Sequence, residues 1–138
     1  MATTAIEHRT YGIRRRLDLP YDEAVHRARE ALKGAGFGVL TEIDVKTVLK
    51  SKIDIDVEPY VILGACNPRL SHRALEAEPE VGLLLPCNVV VRAGEGGTIV
   101  EAMDPEAAMG MVQNPAVAEV AREAKALLVQ ALNSLTES

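Results

Sequence analysis

Three Asx–Pro dipeptides mark where helices begin along this chain: Asn67–Pro68, Asp104–Pro105 and Asn114–Pro115. The Asn or Asp side-chain oxygen can accept a hydrogen bond from a free N–H of the first helical turn. Pro at the first helical position gives up an N–H that has no partner there. We therefore predict three helices, over residues 68–77, 105–111 and 115–135. The last carries a long apolar stripe, which must lie on a sheet or on a partner.

Strand-like segments lie before and between these helix starts. Residues 11–19 alternate between apolar and charged side chains, and residues 37–43 follow as a second strand. Residues 60–66 form a continuous apolar run, which is typical of a strand covered on both faces. Residues 87–93 and 98–103 are joined by a short Gly-rich segment, which predicts a hairpin.

Two more helices complete the predicted elements. One follows Pro20 and ends near Gly34 and Gly36, and a shorter one is capped by Asp44. This order of strands and helices predicts a single domain, residues 1–138, with a two-layer α+β fold in which helices pack on a mixed sheet of about five strands. A doubly wound α/β sheet is the alternative.

Composition excludes several classes of function. The chain is 48% hydrophobic but has only three Tyr, one Phe and no Trp, and its net charge is −5. It therefore lacks the aromatic platforms and basic groove that grip single-stranded nucleic acid, and we expect no nucleic-acid partner. The longest apolar run, residues 81–91, is far shorter than the roughly 20 residues of a membrane span. With no signal-peptide pattern at the N-terminus, the sequence predicts a cytoplasmic protein that does not enter a membrane.

Two Cys–Asn pairs are the candidate site: Cys66 with Asn67, and Cys87 with Asn88. Cys66 ends a predicted strand and directly precedes the Asn67 helix cap. The N–H groups and dipole of a helix start favour a thiolate, which would make Cys66 a nucleophile or a metal ligand. The alternative is that both cysteines are buried packing residues, since free Cys behaves as a small hydrophobe. In either case the thiols are expected to be reduced, as in a cytosol.

The two pairs converge only if their strands are antiparallel neighbours. The first pair lies at the end of one strand and the second at the start of the next, so antiparallel pairing places them side by side. We therefore expect Cys66, Asn67, Cys87 and Asn88 to line one polar spot. In a parallel pair they would lie about 20 Å apart.

No catalytic residue, cofactor or metal is assigned from the sequence. No pair of His or Cys ligands has the spacing of a zinc site, and the serines lack the setting of a nucleophilic Ser. Met103, Met109 and Met111 could join the two thiols as soft ligands for Cu(I), although methionine more often serves core packing.

The chain resembles the bacterial and archaeal domain of unknown function 302 family. The resemblance rests on YVILGACNPRLSHRALEAEPEVGLLLPCNVVV, on AGFGVLTEIDV at the first helix end, and on MDPEAAMGMVQNPAVAEVA, in that order. It implies a compact α+β fold that forms dimers. It implies no reaction, so it gives no role to Cys66, Asn67, Cys87 or Asn88.

Three functional hypotheses follow. The first is a module that binds a small molecule or an ion at the Cys and Asn residues. The second is a thiol-dependent enzyme or redox sensor. The third is a structural or interaction domain without a pocket. In each case a homodimer is expected, because the run at 81–91 and the stripe on the last helix exceed what one thin sheet can cover.

Overall fold

The computed structural model describes residues 5–135. Its elements, in chain order, are β1 (Glu7–His8), β2 (Gly12–Leu17), α1 (Tyr21–Gly34), β3 (Gly38–Asp44), α2 (Val45–Ile53), β4 (Tyr60–Cys66), α3 (Pro68–Ala77), a 3-10 helix (Pro79–Leu84), β5 (Cys87–Gly94), β6 (Gly97–Met103), α4 (Pro105–Ala108) and α5 (Pro115–Asn133). Within this range, no helix is long and apolar enough to cross a membrane.

The strands form one open sheet in the order β1-β2-β6-β5-β4-β3, and every pair is antiparallel. The two-layer α+β fold is therefore confirmed, and the doubly wound alternative does not apply to the described chain. The sheet is not mixed, and β1 makes it six-stranded. The sequence left the direction of β5 open, because the residues between β4 and β5, including α3, are numerous enough for either a parallel or an antiparallel return.

The helices begin where the Asx–Pro pairs predict. Asn67 Oδ1 accepts from the N–H of Leu70 at 3.2 Å, and Asp104 and Asn114 cap α4 and α5 in the same way. α4 is shorter than predicted and ends at Ala108, two residues before Gly110, which is a poor helix former.

The apolar stripe of α5 packs within the chain. Its buried residues are Val117, Val120, Ala121, Ala124, Leu128, Ala131 and Leu132. The C-terminal half lies on the sheet core with α1, and the N-terminal half meets α3 and the 3-10 helix in a second apolar cluster. Between the two clusters, a small cavity lies where the end of β4 meets α3 and α5.

Candidate functional site

Antiparallel pairing of β4 and β5 brings the two cysteines together. In this register Ala65 of β4 lies directly opposite Cys87 of β5. Cys66 is the next residue along β4. The predicted pairing of a strand end with a strand start is confirmed. Both thiols are free.

Asn88 does not join them. It lies opposite Gly64 on the other face of the sheet and is exposed, whereas Cys87 is buried under the helices. The cause is the two-residue period of a strand, which sends consecutive side chains to opposite faces. The expectation of one polar spot lined by four side chains was therefore wrong for Asn88.

Cys66 and Asn67 form the junction between β4 and α3. Cys66 is half-buried, and its Sγ lies 3.1 Å from Oγ of Ser71, within hydrogen-bond reach. Ser71 comes from the first turns of α3, which the Asn67 cap holds over the strand end. Ser71 was not among the predicted site residues, although it lies one helical turn after the Asn67 cap, on the side of α3 that faces Cys66.

Cys87 is a poor thiolate in the free protein. Burial, with a smaller contribution from the neighbouring Cys66, raises the pKa of Cys87 to about 11. At neutral pH it therefore remains protonated, and a buried protonated thiol is a weak nucleophile.

A small cavity of about 20 Å³ lies between the two thiols and the helices. It contains room for about one water-sized guest. Its wall includes Cys66, Asn67, Ser71, Cys87 and Met109, and the remainder is largely apolar, from Phe37, Ala65, Leu70, Ala74, Leu85, Pro105, Val120, Ala121 and Ala124.

Of the three methionines considered as soft ligands, one reaches this cavity. Met109 is buried in its wall, Met111 is 76% exposed, and Met103 lines a groove on the opposite face of the sheet. No group of three or more His, Cys, Asp or Glu side chains within residues 5–135 could hold a metal ion. The cavity therefore offers sulfur ligands and lacks the carboxylate or imidazole set that harder ions prefer.

Fold and site together define a two-layer α+β protein with a small, largely apolar cavity whose wall includes three sulfur-bearing side chains. The chain belongs to the family described as Domain of unknown function DUF302, whose model matches residues 13–135. It is similar to the crystal structure of an uncharacterized conserved protein DUF302 from Bacillus stearothermophilus, with 32% identity over 91% of this chain and 98% of that one and a TM-score of 0.85. None of the curated proteins compared with the chain matches it.

Proposed function

We propose that the protein is a binding module for a soft monovalent metal ion, Cu(I), with Cys66 and Cys87 as ligands and Met109 as a third sulfur. The observation that carries this proposal is that three sulfur-bearing side chains, from β4, β5 and the end of α4, line one small cavity. Thiolate and thioether sulfur are the ligands that Cu(I) prefers in proteins.

The size of the cavity favours an ion over an organic ligand. Pockets for small organic molecules measure roughly 300–1,000 Å³. A cavity of about 20 Å³ is far below that range. One metal ion is a guest of suitable size, and the apolar wall would keep water away from it.

The ligand set also favours Cu(I) over zinc. Structural zinc sites use four Cys, His or carboxylate ligands, and this cavity has two thiols. A Cu(I) ion bound by two thiolates has a net charge of −1. The N-terminus of the ten-residue α3, directly after Cys66, offers the partial positive charge that stabilises such an anion.

Binding is a ligand exchange without oxidation. Two S–H bonds break, two Cu–S bonds form, and two protons leave to solvent, while Met109 adds a neutral ligand. Free thiols and Cu(I) both persist under reducing conditions, which supports the cytoplasm as the compartment in which the protein works.

Competition with a Cu(I)-specific chromogenic chelator tests this proposal. Under anaerobic conditions, we expect the wild-type protein to take one Cu(I) per chain from the chelator. Cys66→Ser and Cys87→Ser should each lower the affinity more than about tenfold, and Met109→Leu should lower it less. Copper X-ray absorption of the loaded wild-type protein should show sulfur ligands only.

Met111→Leu is the matched control for Met109→Leu, because Met111 is exposed and outside the cavity. Circular dichroism would establish that each variant is folded. Equal Cu(I) affinity of the wild-type protein and the Cys66→Ser/Cys87→Ser double variant would overturn the proposal. If Cys66 instead reacted rapidly with peroxide and no copper bound, the redox-sensor hypothesis would take its place.

We also propose a homodimer that pairs through β3 and α2. The apolar stripe on α5 is covered within the chain, so it is not the surface that a second copy would cover. Apolar side chains that remain exposed lie at β3 and α2. In the described chain β3 is an edge strand, and five large apolar side chains on or near it are at least 42% exposed: Leu40, Ile43, Val48, Ile53 and Ile55. An apolar edge strand with unpaired backbone groups is a surface that a second copy can cover by two-fold pairing.

Light scattering at micromolar concentrations should give twice the chain mass for the wild-type protein. The double variant Leu40→Glu/Ile53→Glu should give the mass of one chain, because it places charge on this surface. Leu83→Glu is the control, since Leu83 is 86% exposed on the 3-10 helix and outside the proposed interface. A monomeric wild-type protein would contradict the proposal.

A further inference from the structure

A second groove lies on the sheet face opposite the thiol cavity. Strand alternation brings side chains from four strands to this face, and the groove between them measures about 330 Å³. It is within the size range of small-molecule sites. The residues at its wall are Tyr11, Gly12, Tyr60, Asn88, Val90, Arg92, Glu101, Ala102 and Met103. Asn88 therefore belongs to this groove and not to the cysteine site.

Most charges on this face are already paired. Arg14 lies 3.7 Å from a carboxylate oxygen of Glu7 and 3.5 Å from one of Glu95. Arg16 forms an ion pair with Asp18 at 2.8 Å and donates to the carbonyl oxygen of Glu95 at 2.7 Å. The charges of these two arginines are therefore already paired with carboxylates of the protein.

Arg92 and Glu101 differ from them. Within residues 5–135, neither side chain forms a hydrogen bond or an ion pair. Val90 lies opposite Glu101 in the register of β5 with β6, so Arg92 is the diagonal neighbour of Glu101. Diagonal neighbours on one face lie about 7–8 Å apart.

The two charged ends point away from each other. The Glu101 carboxylate lies over Gly12 of β2, where even a methyl group would collide with it. On the other side, Nη1 of Arg92 lies 3.5 Å from the position that a Cβ on Gly94 would take. The groove lies between the Arg92 guanidinium and the Glu101 carboxylate. Val90, on the same face, forms part of its wall.

We infer that this groove binds a short zwitterion with an ammonium group at one end and a carboxylate at the other, as in a dipeptide. Arg92 would hold the carboxylate, and Glu101 would hold the ammonium group. An extended dipeptide spans about 7 Å, and a charge-assisted contact adds about 3 Å at each end. The two charged ends must therefore lie farther apart than the two strand positions, and their opposed directions provide this separation. Asn88 and Tyr60 supply polar groups for the peptide bond, and Val90 and Met103 supply apolar contact for side chains.

Calorimetric titration with L-alanyl-L-leucine, its N-acetyl derivative and its C-terminal amide tests the inference. We expect saturable binding of the free dipeptide to the wild-type protein at millimolar or lower concentration. Loss of either terminal charge should weaken binding at least about tenfold, because each charge-assisted contact is lost.

Variants test which residue binds which terminal charge of the dipeptide. In Glu101→Gln the free dipeptide and its N-acetyl derivative should bind alike, and in Arg92→Gln the free dipeptide and its amide should bind alike. Arg16→Gln is the control, because Arg16 lies on the same face, outside the groove wall, and already pairs with Asp18. Arg14 is less suitable because it lies directly opposite Glu101 in the register of β2 with β6. All three substituted side chains are on the surface of the sheet, and circular dichroism would confirm that the variants fold.

Two results would overturn the inference. One is the absence of saturable binding up to about 10 mM, which corresponds to a very weak site. The other is equal affinity of the wild-type protein for all three ligands, which would mean that the charges do not contribute. In the first case, backbone NMR shifts of Asn88 and Glu101 that change with protein concentration and not with dipeptide would show that a second copy covers the groove instead. The copper proposal does not depend on any of these outcomes.

Discussion

Leu128→Ala is expected to lower the free energy of unfolding by about 3 kcal/mol. Leu128 is fully buried in the middle of α5, where it joins the core formed with Val89, Val100 and Ala102 of the sheet. The truncation removes three carbon atoms from the buried core. It leaves a cavity that the rigid sheet cannot fill. A gap of about 10 Å³ already lies beside Leu128. The new cavity would therefore extend an existing defect, and a cost of about 3 kcal/mol lies within the usual range for such truncations.

Urea denaturation of the wild-type protein and the variant measures this cost. Leu83→Ala is the matched control, because it makes the same chemical change at a side chain that is 86% exposed. We expect the control to change stability by no more than about 0.5 kcal/mol. A loss below about 1 kcal/mol for Leu128→Ala would mean that α5 does not pack on the sheet as described.

Local chemistry explains why the helix starts were predictable from the sequence. Asn67, Asp104 and Asn114 each accept a hydrogen bond from the first turn of the helix that follows. This interaction joins residues two or three positions apart, so it needs no knowledge of the rest of the fold. The bounds of β4 were predictable for a similar reason, since its apolar run ends at the Asn67 cap.

The sheet was harder to predict, because its strand directions depend on contacts between distant segments. Hydrophobic patterns identify strands but do not indicate which strand pairs with which, or in which direction. β3 illustrates the same limit. Its apolar residues predicted a strand, and the structure makes it an edge strand with Leu40 68% exposed.

The candidate site was predictable in part. Antiparallel pairing, as predicted, places Cys66 one residue beyond the partner of Cys87. Cys66 lines the same cavity as Cys87 because β4 ends there and the chain turns into α3. The separation of Asn88 from Cys87 could have been deduced from the alternation of side chains along a strand. Met109 could not be singled out from Met103 and Met111, because its burial in the cavity wall depends on how the short α4 packs against α5.

The buried thiol of Cys87 should also make stability depend on pH in the alkaline range. The pKa of Cys87 is raised from its ordinary value of 9.0 to about 11 in the folded protein, mainly by burial and then by Cys66. The folded state therefore keeps the proton more tightly than the unfolded state. This contribution is fully present below pH about 9 and is lost as the pH rises toward 11. A difference of about two pKa units corresponds to roughly 2–3 kcal/mol.

Urea denaturation at intervals between pH 8 and pH 11 would measure this effect as a difference between the wild-type protein and Cys87→Ala. Other groups titrate in the same range, including Tyr21, whose pKa is also raised by burial. They are common to both proteins, so their effect cancels in the comparison. The wild-type protein should lose about 2–3 kcal/mol more than Cys87→Ala over this range. Parallel pH profiles would show that the Cys87 thiol is not desolvated as described. A confirmed difference would also mean that the proposed Cu(I) ion must displace a tightly held proton from Cys87. The proton protects Cys87 from electrophiles at neutral pH, and an ion that binds thiolate strongly enough can displace it.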